Sequence, residues 1–152
     1  MRIAIVGASY GGYMTFLAMT KLPDLWAAGA AIVGVTDWRE MYDLSDAAFR
    51  SFIERYFGRP EENPELYRDR SPVHFVENIR APLLIWHRGN DSRVPLKPVE
   101  RFAGRLKELG KPHEMVVVWD EGHGMQKTEN LVRQYRGVVR FLDGAIGAGR
   151  AD

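Results

Sequence analysis

The chain has 152 residues, of which 45% are hydrophobic and 27% are charged, and its formal net charge is +1. This length fits one domain with a sizeable core, and the near-neutral charge gives no indication of a nucleic acid or a membrane as a partner. The chain contains no cysteine, which excludes disulfides, thiolate metal sites and a cysteine nucleophile. Since neither a secretory signal nor an apolar run of about 20 residues is visible, the expected compartment is the cytoplasm.

The first predicted element is an apolar strand, residues 3–6, that leads into a Gly-x-Ser-x-Gly turn and a helix-compatible segment. This is the context of a nucleophile elbow, which holds a serine hydroxyl above the carboxyl end of a sheet. Ser9 is that serine, and the amide of Tyr10 opens the helix towards developing negative charge. Gly7 and Gly11 are expected to be required because a Cβ at either position would crowd the turn. The alternative is a glycine-rich connection with an incidental serine.

The rest of the chain alternates apolar strands with helices. Three further strands are predicted at residues 27–35, 81–87 and 114–119, and the longer helices at residues 98–110 and 126–146. The less regular residues 36–80 predict short helices rich in aromatic side chains, which either cover a site or face the core. Strands without polar alternation, separated by helices, predict a parallel sheet covered on both faces. We expect the chemistry just beyond the carboxyl ends of these strands.

Three residues suited to hydrolysis follow predicted strands. Ser9 follows the first strand, Asp91 the third and His123 the fourth, which is the chain order of α/β-hydrolase triads. His123 is placed to take the proton of Ser9, and Asp91 to orient the imidazole and to stabilise the cation that forms. The sequence therefore predicts a serine hydrolase site.

Other interpretations exist for the acid and the base. Asp91 lies in a Gly-Asn-Asp-Ser segment, where an aspartate is often only a turn residue. Three other carboxylates compete for its role, although none combines a strand end with the right order: Asp43, Asp46 and Asp120. His123 lies between two glycines, which argues against a packed core histidine. The remaining histidines carry no such signature: His74, His87 and His113.

Three segments of the chain resemble the catalytic motifs of one peptidase family. They are Gly-Ala-Ser-Tyr-Gly-Gly-Tyr-Met at residues 7–14, Asn-Asp-Ser-Arg-Val-Pro at 90–95 and Asp-Glu-Gly-His-Gly at 120–124. Over essentially its whole length, the chain resembles the prolyl oligopeptidase family, in particular its acylaminoacyl-peptidase and dipeptidyl-peptidase-like branch. The resemblance implies an α/β-hydrolase fold and a serine peptidase that cleaves short peptides through an acyl-enzyme, without a metal or cofactor.

The resemblance also implies a role for individual residues. Ser9, Asp91 and His123 match the family's triad, and the Tyr10 amide matches one of its two oxyanion donors. Arg93 matches an arginine that binds a substrate carbonyl in oligopeptidase members, with a surface ion pair as the alternative.

Four apolar residues match positions that wall the pocket for the residue before the scissile bond in dipeptidyl peptidases: Val35, Trp38, Met41 and Val94. A plain core role is the alternative for each of them. The chain departs from the family at His87 and Arg88, where His-Gly or Gln-Gly is usual. This departure leaves room for the loop that presents Asp91 to run differently.

The resemblance covers only the carboxyl-terminal part of the family's hydrolase domain. We therefore expect residues 1–152 to form a single partial domain. The family's β-propeller, the first strands of its sheet and the tyrosine hydroxyl that is its second oxyanion donor would be absent. The strand at residues 3–6 would then have an unpaired edge, so we expect a homo-oligomer or association with the missing amino-terminal part, with residues 2–7 near the contact. A catalytically silent fragment and a serine esterase are the alternative functions.

Overall fold

The structure is a computed structural model that describes residues 3–147 of the chain. It consists of four strands, six α-helices and one 3₁₀ segment. In chain order they are β1 (Ala4–Ala8), α1 (Tyr10–Lys21), β2 (Ala28–Ile32), α2 (Trp38–Leu44), α3 (Ala47–Phe57), α4 (Pro64–Arg70), the 3₁₀ segment (Pro72–Asn78), β3 (Leu83–Arg88), α5 (Leu96–Glu108), β4 (His113–Val118) and α6 (Thr128–Ile146).

The four strands form one parallel sheet in the order β1-β2-β3-β4. In this register Ala8 lies opposite Ile32, and Arg88 lies opposite Val118. The carboxyl ends of all four strands therefore lie at the same end of the sheet, and the loops that follow the strands meet there. The predicted parallel α/β architecture is confirmed.

Helices cover both faces of this sheet. On one face, α1, α5 and the 3₁₀ segment pack over a core that includes Phe16, Ile85 and Phe102. On the other face, α6 packs over a second core around Trp86 and Phe141. β2 is apolar throughout, and β3 up to Trp86, because both faces of these two central strands are buried in this way.

The second strand is shorter than the sequence predicts. β2 ends at Ile32, whereas the apolar run continues to residue 35. The cause is Val33, whose φ of 45° takes the backbone out of the extended conformation. Apolar composition could not reveal this bend, since a positive φ is rare for a β-branched residue. The bend turns Gly34 towards α1, which matters for the serine turn described below.

β1 forms an edge of the sheet. It pairs with β2 on one side, and no other described strand lies on its second side. Val6 is 48% exposed on the face that α6 covers over the neighbouring strands. Arg2, part of the segment expected at a contact, lies outside the described residues. Among the helices within residues 3–147, none is both long and apolar enough to cross a bilayer.

Candidate active site

Ser9 occupies a strained turn between β1 and α1. Its backbone has φ 56° and ψ −116°, a conformation that non-glycine residues rarely adopt. Two hydrogen bonds hold it there: the Ser9 amide donates to the carbonyl of Ile32 at 2.9 Å, and the Tyr13 amide donates to the carbonyl of Ser9 at 3.0 Å. Strain that the surroundings hold in place in this way is typical of functional sites.

Glycines permit this turn by allowing backbones to touch. A Cβ on Gly7 would lie 2.2 Å from the carbonyl oxygen of Gly11, and one on Gly12 would lie 2.5 Å from that of Ile32. A Cβ on Gly34 would lie 2.5 Å from the backbone of Gly12. The expectation for Gly11 is wrong, because a Cβ there would meet nothing within 4 Å. Besides Gly7, the crowded glycines are Gly12 and Gly34, which the bend at Val33 brings together.

The side chains of Ser9, His123 and Asp91 form an unbroken chain of hydrogen bonds. Ser9 Oγ lies 2.9 Å from His123 Nε2, and His123 Nδ1 lies 2.8 Å from Asp91 Oδ2. Because a carboxylate can only accept a hydrogen bond, Nδ1 carries the proton and donates to Asp91, which leaves Nε2 free to accept from the serine hydroxyl. The Asp91 side chain is fully buried, whereas that of His123 is 31% exposed. This arrangement can take a proton from Ser9 and hold the resulting imidazolium beside a buried carboxylate.

The loop that carries Asp91 is fixed by the aspartate itself and by His87. Asp91 Oδ1 accepts from the amides of Arg93 and Val94 at 2.9 and 2.8 Å, so Asp91 also acts as a turn residue. His87 is completely buried, and its Nε2 donates to the carbonyl of Val94 at 3.0 Å. Burial lowers the pKa of His87, which keeps its ring neutral. The departure from the family at residues 87 and 88 therefore does not displace Asp91 from His123.

The loop that carries His123 is held by Glu121, which sequence reasoning missed. The buried Glu121 carboxylate accepts from the amides of Gln126 and Lys127, each at 2.9 Å, and from the Asn130 side chain at 3.0 Å. These bonds, led by that from Gln126, lower the pKa of Glu121. Glu121 directly precedes the Gly-His-Gly segment, but its three donors lie on the far side of the loop. No sequence pattern links them.

The three competing carboxylates are engaged elsewhere. Asp43 forms an ion pair with Arg39 at 3.1 Å. Asp46 caps the first turn of α3, and Asp120 pairs with Lys127. Within residues 3–147, no group of three or more His, Asp or Glu side chains is placed to hold a metal ion.

Tyr10 is the first residue of α1, so its amide has no acceptor within the helix. The side chain of Tyr10 is 60% exposed and contacts the rings of Tyr13 and Trp38. An anion beside Ser9 would therefore meet the amino-terminal end of α1 and a shelf of aromatic rings.

The four predicted pocket residues are buried. Val35, Trp38, Met41 and Val94 are 2–6% exposed and pack in one cluster with Tyr13, Ile53 and Tyr67. Among the four, only Trp38 also lines the open cavity of about 250 Å³ beside Tyr10. Its other walls come from α3: Phe52, Ile53, Tyr56 and Phe57. Arg93 is exposed, with its guanidinium 5.3 Å from the centre of the Phe49 ring.

Comparison with solved structures identifies the architecture as an α/β-hydrolase fold. The acylaminoacyl peptidase of Pyrococcus horikoshii aligns with a TM-score of 0.89 at 32% sequence identity, and the match covers 99% of this chain and 25% of that one. Within this class, the chain belongs to the prolyl oligopeptidase family, whose model matches residues 1–149. The fold and the family predicted from the sequence are thus confirmed.

Curated relatives are peptidases of the same family. Dipeptidyl peptidase family member 6 of Caenorhabditis elegans is 30% identical over 151 residues, which are 95% of this chain and 20% of that protein. Dipeptidyl aminopeptidase BIII of Pseudoxanthomonas mexicana is 32% identical over 157 residues, which are 99% of this chain and 22% of that protein. The chain thus spans about a fifth of the length of these relatives.

Proposed function

We propose that this chain is the catalytic segment of a serine peptidase that hydrolyses short peptides through an acyl-enzyme. The observation that carries the proposal is the hydrogen-bonded chain from Ser9 through His123 to Asp91, with Ser9 at 2.9 Å from its base. Membership of the prolyl oligopeptidase family supports the choice of a peptide bond as the substrate.

The mechanism assigns one task to each residue. His123 Nε2 accepts the proton of Ser9 while Ser9 Oγ attacks the peptide carbonyl, and Asp91 stabilises the imidazolium. The amide of Tyr10 donates to the carbonyl oxygen as that atom becomes negative. The C–N bond then breaks, the amine leaves with the proton from His123, and an ester to Ser9 remains. Water attacks this ester with His123 as base, which releases the carboxylic acid and restores Ser9.

The surroundings of Ser9 favour an apolar side chain on the substrate. The cavity lined by Trp38 and the aromatic residues of α3 is also lined by Tyr10, the residue that directly follows the nucleophile in sequence. Val35, Met41 and Val94 support this cavity from the core. Arg93 is exposed, and we assign to it the binding of a substrate backbone carbonyl, as the family resemblance implies. We therefore propose that the cavity residues and Arg93 recognise the substrate.

The test is a pair of hydrolysis assays on the 152-residue chain and on Ser9→Ala. We expect slow release of p-nitroaniline from an acetylated phenylalanine p-nitroanilide and faster release of p-nitrophenol from an activated ester. The amide should be slow because the Tyr10 amide is the one oxyanion donor that we assign among residues 3–147, and one such donor contributes about 10²- to 10³-fold in rate. Ser9→Ala should abolish both reactions. Ester turnover without any amide turnover would favour an esterase, and equal rates for Ser9→Ala would overturn the proposal.

We also propose that the free edge of β1 recruits another strand, from a second copy or from the amino-terminal part that family members possess. An unpaired edge with an exposed apolar residue such as Val6 is a template for pairing. Light scattering after size-exclusion chromatography should show a dimer or larger species for the chain alone. Val6→Lys should shift it towards the monomer, and a monomeric wild type at high concentration would contradict edge pairing between copies.

A further inference from the structure

We infer that Arg88, a buried arginine at the end of β3, positions His123 by clamping the backbone of its loop between β3 and α6. This inference rests on the proposed function, because it assigns to Arg88 the placement of the base that serves Ser9. Arg88 touches none of the reacting atoms and is therefore a positioning residue.

The contacts of Arg88 reach the base directly. One terminal nitrogen, Nη1, hydrogen-bonds to the carbonyl oxygen of His123 and lies 3.4 Å from that of Gly122. The other, Nη2, lies 3.4 Å from Gln134 Oε1 on α6. A planar guanidinium can hold two elements at once because its donors point in fixed directions. The guanidinium thus connects the backbone of His123 to a strand and to a helix.

The position of Arg88 is the counterpart of that of His87. Successive residues of a strand point to opposite faces, so the two side chains leave the end of β3 in opposite directions. His87 donates to the carbonyl of Val94 and supports the Asp91 loop, while Arg88 donates to the carbonyl of His123 and supports the other loop. One dipeptide therefore supports both the acid and the base.

The loop around His123 needs such an external support. Gly122 and Gly124 flank the histidine and give its backbone wide conformational freedom. Glu121 fixes the segment before the first of these glycines, but its donors are Gln126, Lys127 and Asn130, none of which binds the histidine itself. The bond from Arg88 acts at the residue that must stay within reach of Ser9.

Burying the charge of Arg88 costs free energy, so a contribution to the stability of the fold does not by itself explain an arginine at this position. The residue is 6% exposed, and burial lowers the pKa of its guanidinium. The nearby carboxylates of Asp91 and Glu121 attract this charge, yet Nε is buried with no hydrogen-bond partner among residues 3–147. A well-packed apolar residue often stabilises a fold as much as a buried charge or more. The hydrogen bond to the His123 carbonyl gives this buried charge a role that an apolar residue could not fill.

The test compares Arg88→Met, Arg88→Lys and a matched control, Arg140→Met, in the full chain. Arg140 forms an exposed ion pair with Glu114 and has no contact with the site. Two quantities are measured: the rate at which a fluorophosphonate labels Ser9, per folded molecule, and the low-field proton resonance of the His123 Nδ1–H. Both are normalised for the folded fraction, so a merely structural role of Arg88 would leave them unchanged.

We expect Arg88→Met to label about 10- to 10²-fold more slowly than wild type, as small misplacements of catalytic groups do. Its His123 resonance should broaden because the ring exchanges between positions. Arg88→Lys should label faster than Arg88→Met but more slowly than wild type, since an ammonium keeps the charge and reaches one carbonyl. Arg140→Met should label at the wild-type rate. A labelling rate and a sharp resonance in Arg88→Met that are indistinguishable from wild type would overturn the inference.

Two further outcomes remain decisive. If Arg88→Met does not fold, Arg88→Lys and Gln134→Leu take its place. Slower labelling in both supports the clamp, and wild-type labelling in both overturns it. If the wild-type chain is never labelled, the proposed function fails, but the resonance still reports the clamp. In that case a sharp wild-type signal that broadens in Arg88→Lys supports it, and an unchanged signal contradicts it.

Discussion

The turn of Ser9 and the loop of His123 lie side by side at the carboxyl ends of the strands. Backbone contacts hold the first in place, and side chains hold the second. Backbone atoms hold Ser9: its φ of 56° is fixed by the hydrogen bond that its amide donates to Ile32, by the one that its carbonyl accepts from Tyr13, and by contacts that only glycine permits. Side chains hold His123, through the carboxylate of Glu121 and the guanidinium of Arg88. One position depends on steric exclusion and the other on a polar network.

This difference predicts how each region responds to mutation. A backbone that is packed against a backbone cannot move aside, so an added methyl group forces the whole turn to change. A network of side chains loses one bond at a time, and the remaining bonds still restrain the loop. A single mutation in the serine turn should therefore abolish the reactivity of Ser9, whereas a single mutation in the loop of His123 should lower that reactivity only in part.

The largest effect is expected from Gly7→Ala. Its Cβ would lie 2.2 Å from the carbonyl oxygen of Gly11, and relief of that clash should cost about 3 kcal/mol of stability and move Ser9 away from His123. Gly11→Ala is the matched control, since its Cβ meets nothing within 4 Å. Chemical denaturation and labelling of Ser9 measure both consequences. If Gly7→Ala and Gly11→Ala were equally stable, close backbone packing at Gly7 would not be what holds the turn.

A smaller, graded effect is expected from Glu121→Gln. The amide oxygen can still accept, but the amide nitrogen that replaces the second carboxylate oxygen is a donor, so the amides of Gln126 and Lys127 can no longer each meet an acceptor oxygen of their own. We expect a melting temperature lower by several degrees and slower labelling of Ser9, without complete loss. Glu108→Gln, which removes an exposed ion pair with Arg105, is the control and should change neither quantity. Complete loss of labelling in folded Glu121→Gln would contradict the graded response.

The strength of this network should also depend on pH. Hydrogen bonds from Gln126 and Asn130 lower the pKa of Glu121 below its ordinary value of 4.5. Between the folded pKa and 4.5 the unfolded chain binds more protons, so the stabilisation by Glu121 is complete above pH 4.5 and is lost as the pH falls through the folded pKa. Denaturation of wild type and Glu121→Gln should give free energies of unfolding that differ at neutral pH and converge in acid. A constant difference across this range would show that the carboxylate charge plays no part.

The same contrast explains what the sequence could predict. The turn of Ser9 can be recognised from neighbouring residues, because the Gly-x-Ser-x-Gly motif follows an apolar strand, although the distant residues Ile32 and Gly34 also hold it. Asp91 and His123 could be predicted because each follows a strand of a parallel sheet, whose carboxyl ends meet at one edge. The fold follows from the same periodicity, since apolar strands between helices leave few other arrangements.

The residues that escaped prediction act through distant partners or unusual backbone. Gln134 lies in the middle of α6, and its contact with Arg88 exists only in the folded chain. The requirement for Gly12 rather than Gly11 depends on the bend at Val33, which an apolar run does not reveal. Aromatic spacing in α3 predicted a helix but could not separate the residues that line the cavity from those that pack in the core.

The smallest effect is expected from Arg93→Met. The side chain is exposed and lies over the Phe49 ring, a contact that contributes about 0.5 to 1 kcal/mol at exposed sites. If Arg93 binds a backbone carbonyl of the substrate, KM for the peptide p-nitroanilide should rise while turnover of the small ester stays unchanged. Steady-state kinetics with both substrates measure this. An equal loss on both substrates would indicate a disturbed Asp91 loop instead, because the Arg93 amide donates to Asp91.

Activation of the nucleophile Ser9 by His123 is the proposal on which the peptidase function rests. It is tested most directly by mapping the fluorophosphonate adduct with mass spectrometry in wild type, Ser9→Ala and His123→Ala. We predict a single adduct on Ser9 in wild type, none in Ser9→Ala and a strongly slowed reaction in His123→Ala. Labelling of Ser9 at the same rate in wild type and His123→Ala, or an adduct on another residue, would contradict the account.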